Sequence, residues 1–256
     1  MTAGLRRRTP SGAALDAAAL VEWLGADAGV RANMVASADG RATVDGRVGP
    51  LTSEADQALL TGLRGWCDVL LVGAGTVRAE GYGVIDLPEA LGPIRAARGQ
   101  AQRPVLAILS RTLDLDPALP AFAGARPEAR PWVITGAGAD RTALEPHARI
   151  VEVPLDEGGH PSLAAALGAL RAAGLTRILS EGGPTTLGTL LGQGLVDELF
   201  LTVAPLVVGG AGPRIVHAPE YGRPLDLRLR DVLGADGEVF LRYEVLHPTP
   251  GAGWSA

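Results

Sequence analysis

In this chain the residues best suited to chemistry gather where apolar runs give way to glycine. The run Ile178-Leu179-Ser180 empties into Glu181-Gly182-Gly183-Pro184-Thr185, and Leu187, Leu190 and Leu191 then recur three and four apart. That spacing marks a strand handing over to one face of a helix. Glycines at such a corner let backbone approach a ligand closely, and the unpaired N–H groups of a helix start attract phosphate. Glu181 adds a carboxylate at the strand's carboxyl end, where open α/β sheets collect ligands. A second exit, Gly73-Ala74-Gly75-Thr76, follows the buried run Val69-Leu70-Leu71-Val72. Two further buried runs, Pro104 to Leu109 and Pro131 to Thr135, end in Ser110-Arg111 and Thr135-Gly136.

Each motif alone has an ordinary explanation: a tight turn for Gly182-Gly183-Pro184, a solvated surface arginine for Arg111. Together they place glycine, hydroxyl and arginine groups at several strand ends on one sheet edge. That arrangement fits a long phosphate-bearing cofactor, and an arginine beside a hydroxyl suits the extra 2′-phosphate that distinguishes NADPH from NADH. Two common nucleotide motifs are excluded. The sixth position of the motif that begins at Gly73 is Arg78 rather than glycine, with no matching acid about 20 residues on, and no Gly-Lys-Ser/Thr occurs. His147, His160, His217 and His247 are scattered without a Ser or Cys elbow, which argues against a hydrolase triad and against a metal. Cys67 precedes an apolar strand and reads as packing.

The elements that must position these residues alternate. A strand over Val30 to Ala38 leads through the Asp39-Gly40 turn into a polar, Gly-rich loop over 41–50. Ser53 with Asp56 forms an N-cap signal for a helix that buries Leu59, Leu60 and Leu63 and ends near Gly65. Residues 81–103 read as a mobile loop, 149–153 as a short strand, and a helix after Pro161 buries Leu163, Leu167 and Leu170. From Asp197 the pattern changes to strand after strand: Asp197 to Val203, a hairpin-like connection Pro205 to Gly210, then Leu225 to Val232 and Glu238 to Leu246. Antiparallel strands are thus expected at the end of a mainly parallel α/β sheet flanked by helices. We expect one domain over 30–247, an N-terminal extension over 1–29 carrying a surface helix at 13–25, and a tail over 248–256.

Composition agrees. The 256 residues are 47% apolar, enough for a large core, and a net charge of −5 without a basic patch points away from nucleic acid. One cysteine excludes a disulfide framework and fits a reducing cytoplasm. Arg6-Arg7-Arg8 opens no signal peptide, because Asp16, Glu22 and Asp27 interrupt the apolar stretch behind it, and no run is long enough to span a membrane.

Four ordered segments resemble the riboflavin-biosynthesis pyrimidine reductases. They are Asn33 to Arg41, Leu51 to Asp56, Asp68 to Val77, and Glu181 to Thr185 with Gly194 to Leu199; the likeness runs from about residue 30 to 246. It implies a dihydrofolate-reductase-like fold, NADPH, a homodimer, and reduction of the ribosyl group of 5-amino-6-(5-phosphoribosylamino)uracil. Gly73, Gly75, Thr76, Thr135, Gly136, Gly182, Gly183, Pro184 and Thr185 would hold the cofactor, with Ser110 and Arg111 at its adenosine end. Glu181 would orient or protonate the substrate, Asp39 would border the nicotinamide, and Asn33, Thr52 and Glu80 would line the substrate side. The His-x-Glu and Pro-Cys-x-x-Cys ligands of a zinc deaminase are absent from this sequence. Two substrate-side features also depart from the family. No arginine stands between Glu80 and Asp86, where the family's phosphate-binding arginine falls, leaving Arg47, Arg78 or Arg95 as substitutes. The usual Trp-Ile-Thr is reduced to Pro50-Leu51-Thr52. Two alternatives stay open: a reductase of another heterocycle such as a pterin or folate, and a non-catalytic NADPH-binding protein.

Overall fold

The computed structural model describes residues 14–123, 125 and 129–247. The expectations for Arg6-Arg7-Arg8 and for the tail over 248–256 lie outside the described residues. A nine-stranded sheet runs through the molecule in the order β5-β4-β3-β2-β6-β1-β7-β9-β8. Its strands are β1 (Gly29–Ser37), β2 (Val69–Gly73), β3 (Val105–Leu109), β4 (Trp132–Gly136), β5 (Arg149–Val153), β6 (Arg177–Ser180), β7 (Glu198–Ala204), β8 (Asp226–Ala235) and β9 (Glu238–Leu246). The seven from β5 to β7 pair in parallel, and β9 joins β7 and β8 antiparallel. The mainly parallel sheet with antiparallel C-terminal strands is therefore present.

The strand β6 returns between β1 and β2, so the connections diverge there. This is the switch point at which a doubly covered sheet opens a crevice beyond its carboxyl ends. The helices are α1 (Ala17–Leu24), α2 (Glu54–Trp66), α3 (Ala74–Glu80), α4 (Gly92–Ala97), α5 (Pro120–Ala123), α6 (Leu163–Ala172) and α7 (Pro184–Gly192). Alternation along β2 divides the core. Leu70 and Val72 pack with Leu59, Leu63 and Trp66 of α2, whereas Val69 and Leu71 pack with Leu167 of α6 and Leu187 of α7.

Local signals explain most boundaries. Ser53 accepts the Asp56 N–H as the N-cap of α2, and Ser162 does the same for α6 with Ala165. On α1 the inward residues are Leu20, Val21 and Leu24, with Trp23 against Phe200, while Leu15 precedes the helix and is exposed. The stretch read as a mobile loop over 81–103 instead contains α4. Arg95 from α4 is 1% exposed, and its NH1 donates to Gly65 O and Cys67 O at 2.8 and 2.7 Å. An arginine spent on the last carbonyls of α2 is hard to foresee from its Gly- and Pro-rich neighbours. The hairpin expected at Pro205 to Gly210 is likewise absent. The tight hairpin joins β8 to β9 through Asp236-Gly237, both at positive φ.

Candidate active site

The carboxyl ends of β1, β2 and β6 open into a cavity of about 580 Å³, within the ~300–1,000 Å³ common for small-molecule sites. The cavity gathers Asn33, Thr52, Gly75, Thr76, Glu80 and Glu181, together with Gly183 and Pro184. The two glycine-rich exits are stitched to each other. Gly73 N donates to Gly182 O at 3.1 Å, and Gly183 N donates to the Thr76 hydroxyl at 3.1 Å. Gly182 sits at φ +88°, a conformation that favours glycine. A Cβ on Gly183 would stand 3.0 Å from that same hydroxyl. These glycines therefore join the β6–α7 corner to α3, and the joint forms one wall of the cavity.

Across from it lies a group the sequence reading did not single out. Arg64 of α2 donates from Nε to Glu181 Oε1 at 2.7 Å and from NH2 to Oε2 at 2.6 Å. The Tyr82 hydroxyl donates to Oε2 at 2.7 Å. The Glu181 side chain is only 4% exposed, so its charge is carried by these donors rather than by water. Burial would depress the Arg64 guanidinium, but the Glu181 partnership outweighs it and raises it overall. Burial, reinforced by Glu181, pushes the Tyr82 hydroxyl well above its usual range, so it stays a donor. The signal was available. Gln57, Leu60 and Arg64 fall at i, i+3 and i+7, a second stripe of α2 beside the core stripe, and all three line the cavity. Tyr82 stands between Gly81 and Gly83, a small aromatic island in a loop.

Asp56, also missed, lines the same cavity while 3% exposed. Its Oδ1 accepts the Thr202 hydroxyl at 2.7 Å from β7. Burial raises its pKa, against the Thr202 hydrogen bond and with help from Glu238 and Glu181. Asn33 presents a buried Oδ1 without a partner among the described residues, an acceptor that suits an N–H. Thr52 donates its hydroxyl to Gly49 O at 2.9 Å, and Glu80 accepts Val48 N–H at 3.3 Å, tying the loop over 41–50 to α3.

The remaining sequence-derived residues lie elsewhere. The Asp39 carboxylate accepts N–H groups of Val208 and Gly209 and the Ser37 hydroxyl, which together hold its pKa down at about 2, the Ser37 bond contributing most. It fastens the β1 turn to the segment after β7 and does not line the cavity. The Ser110 hydroxyl is buried and accepts Leu113 N–H at 3.2 Å. Thr135 is also buried. Gly136 is dictated by packing, since a Cβ there would meet Leu155 Cδ2 at 2.1 Å. Arg111 is exposed at the same sheet edge and has no ion pair among the described residues. Thr185 faces a separate cleft between α7 and residues 217–221. Cys67 is fully buried, which pushes its thiol up and removes it from chemistry. Among the described residues no group of His, Cys, Asp and Glu could hold a metal, and no helix is long and apolar enough to cross a membrane.

Comparison with known proteins follows the same segments. The RibD C-terminal domain model matches residues 28–239. A 2,5-diamino-6-ribosylamino-4(3H)-pyrimidinone 5′-phosphate reductase from Archaeoglobus fulgidus is 28% identical over 180 residues, 70% of this chain and 80% of its own. The riboflavin biosynthesis protein RibD of Bacillus amyloliquefaciens is 31% identical over 179 residues, 68% of this chain and 45% of its own. A solved pyrimidine reductase-like protein from Corynebacterium diphtheriae is 30% identical with a TM-score of 0.79, over 87% of this chain and 94% of its own. Matched over most of its length, with the glycine-rich exits and Glu181 at its switch point, the chain belongs to the RibD C-terminal domain family.

Proposed function

We propose that this protein is an NADPH-dependent reductase that transfers hydride to the ribosyl carbon of a ribosylaminopyrimidine, as the names of its reductase relatives suggest. The observation that carries this reading is the Glu181 carboxylate, fixed by Arg64 and Tyr82 between the two glycine-rich strand exits. The cofactor, when bound, supplies the hydride. Gly75, Thr76, Gly183 and Pro184 form the wall against which it would lie, and the unpartnered Asn33 Oδ1 fits the N–H groups of a carboxamide or pyrimidine. Exposed Arg111 is available to a 2′-phosphate; Ser110 and Thr135 support the strand ends behind it. Hydride transfer needs donor and acceptor within about 3–3.5 Å, so holding both rigidly is the main work of such a site. Glu181, with three donors on two oxygens, is built to orient a substrate hydroxyl or amine rather than to release a proton. We also propose a cytoplasmic homodimer; the exposed Leu227 and Leu229 on the edge strand β8 support the pairing.

A second acceptor class has its own support. Of the residues lining the cavity, Arg64 alone is cationic, and Glu181 occupies it. Arg95 is consumed by backbone carbonyls, Arg78 donates to Asp114 O at 3.0 Å, and Arg47 is exposed off the cavity. An unphosphorylated heterocycle therefore fits as well as the 5′-phosphate. NADPH oxidation assayed with the ribosylaminopyrimidine 5′-phosphate, its dephosphorylated form and dihydropterins decides between them. Turnover of the ribosylaminopyrimidines supports the main reading, turnover of pterins alone supports the second, and NADPH binding without oxidation defeats both.

A further inference from the structure

The cavity holds two carboxyl groups in opposite environments. Glu181 receives three hydrogen bonds, two from the Arg64 guanidinium and one from the Tyr82 hydroxyl. Asp56 receives one, the Thr202 hydroxyl, and has no ion pair among the described residues. The charged groups facing it are carboxylates: Glu238 of β9, which accepts the Ser53 hydroxyl at the head of α2, and Glu181 beyond β6. Arg64, two turns further along α2, is turned to Glu181. Two carboxyls held this differently commonly divide the labour of a site, one orienting the substrate, the other carrying a proton. We propose that Asp56 is the proton donor of this active site, with Thr202 fixing Oδ1 as acceptor so that the transferable proton resides on Oδ2.

The step rests on the reductase reading above and balances as follows. The C1′–O4′ bond of the ribosylamine breaks, its electron pair stays on O4′, and O4′ takes the proton from Asp56. Hydride from the nicotinamide forms the new C1′–H bond, NADPH becoming NADP⁺. Asp56 then recovers a proton from water through the open mouth of the cavity. Burial with two carboxylate neighbours keeps the acid protonated at higher pH than an ordinary aspartic acid, which is the state a donor needs.

Asp56→Asn keeps the shape and removes the proton. Turnover with the ribosylaminopyrimidine should fall by about 10²-fold or more, in the range of general acid catalysis. NADPH affinity should stay within a few-fold, and the alkaline limb of the wild-type pH–rate profile should vanish. Thr202→Val removes the donor that favours the ionised form, so that limb should move to higher pH. Infrared difference spectra of wild type minus Asp56→Asn report the same acid without substrate, as a protonated carboxyl band that disappears on titration. Asp56→Asn turnover within threefold of wild type, a retained alkaline limb, or no such band above the ordinary aspartic acid range overturns the role of Asp56 while leaving the reductase reading intact. A wild type that oxidises no NADPH with any ribosylaminopyrimidine overturns both, and so separates the two failures.

Discussion

Arg64 and Glu181, 117 residues apart in the chain, meet through two parallel hydrogen bonds of 2.7 and 2.6 Å across the cavity floor. The pair joins the helix between β1 and β2 to the corner after β6, so it closes the switch point as well as furnishing the site. Removing one partner leaves a nearly buried charge alone. Arg64→Ala should destabilise the protein by about 3 kcal/mol, at the lower end for such changes because Arg64 keeps some solvent contact. Adding Glu181→Gln to Arg64→Ala should restore part of that loss. Thermal unfolding of the singles and the double tests this; a double variant as unstable as the sum would show that the two do not interact.

Glu181→Gln on its own preserves shape and its bond from Tyr82. Turnover should drop by at least tenfold while NADPH affinity stays within a few-fold, as expected for a group that acts on the acceptor in the transition state. Isothermal titration and steady-state kinetics separate the two quantities. Loss of NADPH binding by folded protein would move Glu181 to the cofactor side.

On the proposed reading, cofactor choice should rest on Arg111. A charge-assisted contact to the 2′-phosphate contributes ~1.5–3 kcal/mol, so NADPH should bind at least tenfold more tightly than NADH. Arg111→Ala should bring the two dissociation constants together by weakening NADPH alone. Equal constants in the wild type would remove Arg111 from the site.

Much of this was legible in the sequence, for physical reasons. Continuous apolar runs bounded by glycine, proline or serine marked β2 to β4, Ser53 marked the start of α2, and Glu181-Gly182-Gly183 marked the switch point. Arg64 and Tyr82 left a local trace, a second stripe on α2 and an aromatic between two glycines, but their partner Glu181 is tertiary, and nothing near Asp56 in sequence says that α2 lies over the ends of β6 and β7. Asp39, Ser110, Thr135 and Gly136 lie outside the cavity and have structural partners of their own. Polar and small residues at strand exits also serve to cap turns and admit neighbouring side chains, and here they do so.

A structural acid gives a prediction with a definite pH sign. Asp68 receives N–H bonds from Thr176, Arg177 and Gln100 and an ion pair with Arg177 at 3.0 Å, anchoring β2 to β6. Burial opposes its charge, yet these donors prevail and lower its pKa. A depressed folded value stabilises the protein above the unfolded value of about 3.9 and ceases to do so as pH falls through the folded one. Asp68→Asn should therefore cost about 3 kcal/mol at neutral pH and progressively less below about pH 4. Denaturant unfolding at several pH values checks it; a deficit that does not shrink in acid would contradict the assignment.

The central claim is hydride transfer from a nicotinamide to a ribosyl carbon at this cavity. NADPH carrying deuterium at nicotinamide C4, incubated with the protein and the ribosylaminopyrimidine 5′-phosphate, tests it most directly. A ribityl product with one deuterium at C1′ is expected when the label lies on the transferred face, formed at least tenfold more slowly by Glu181→Gln. A product whose C1′ hydrogen comes from water, or unconsumed NADPH with the acceptor bound, would contradict it.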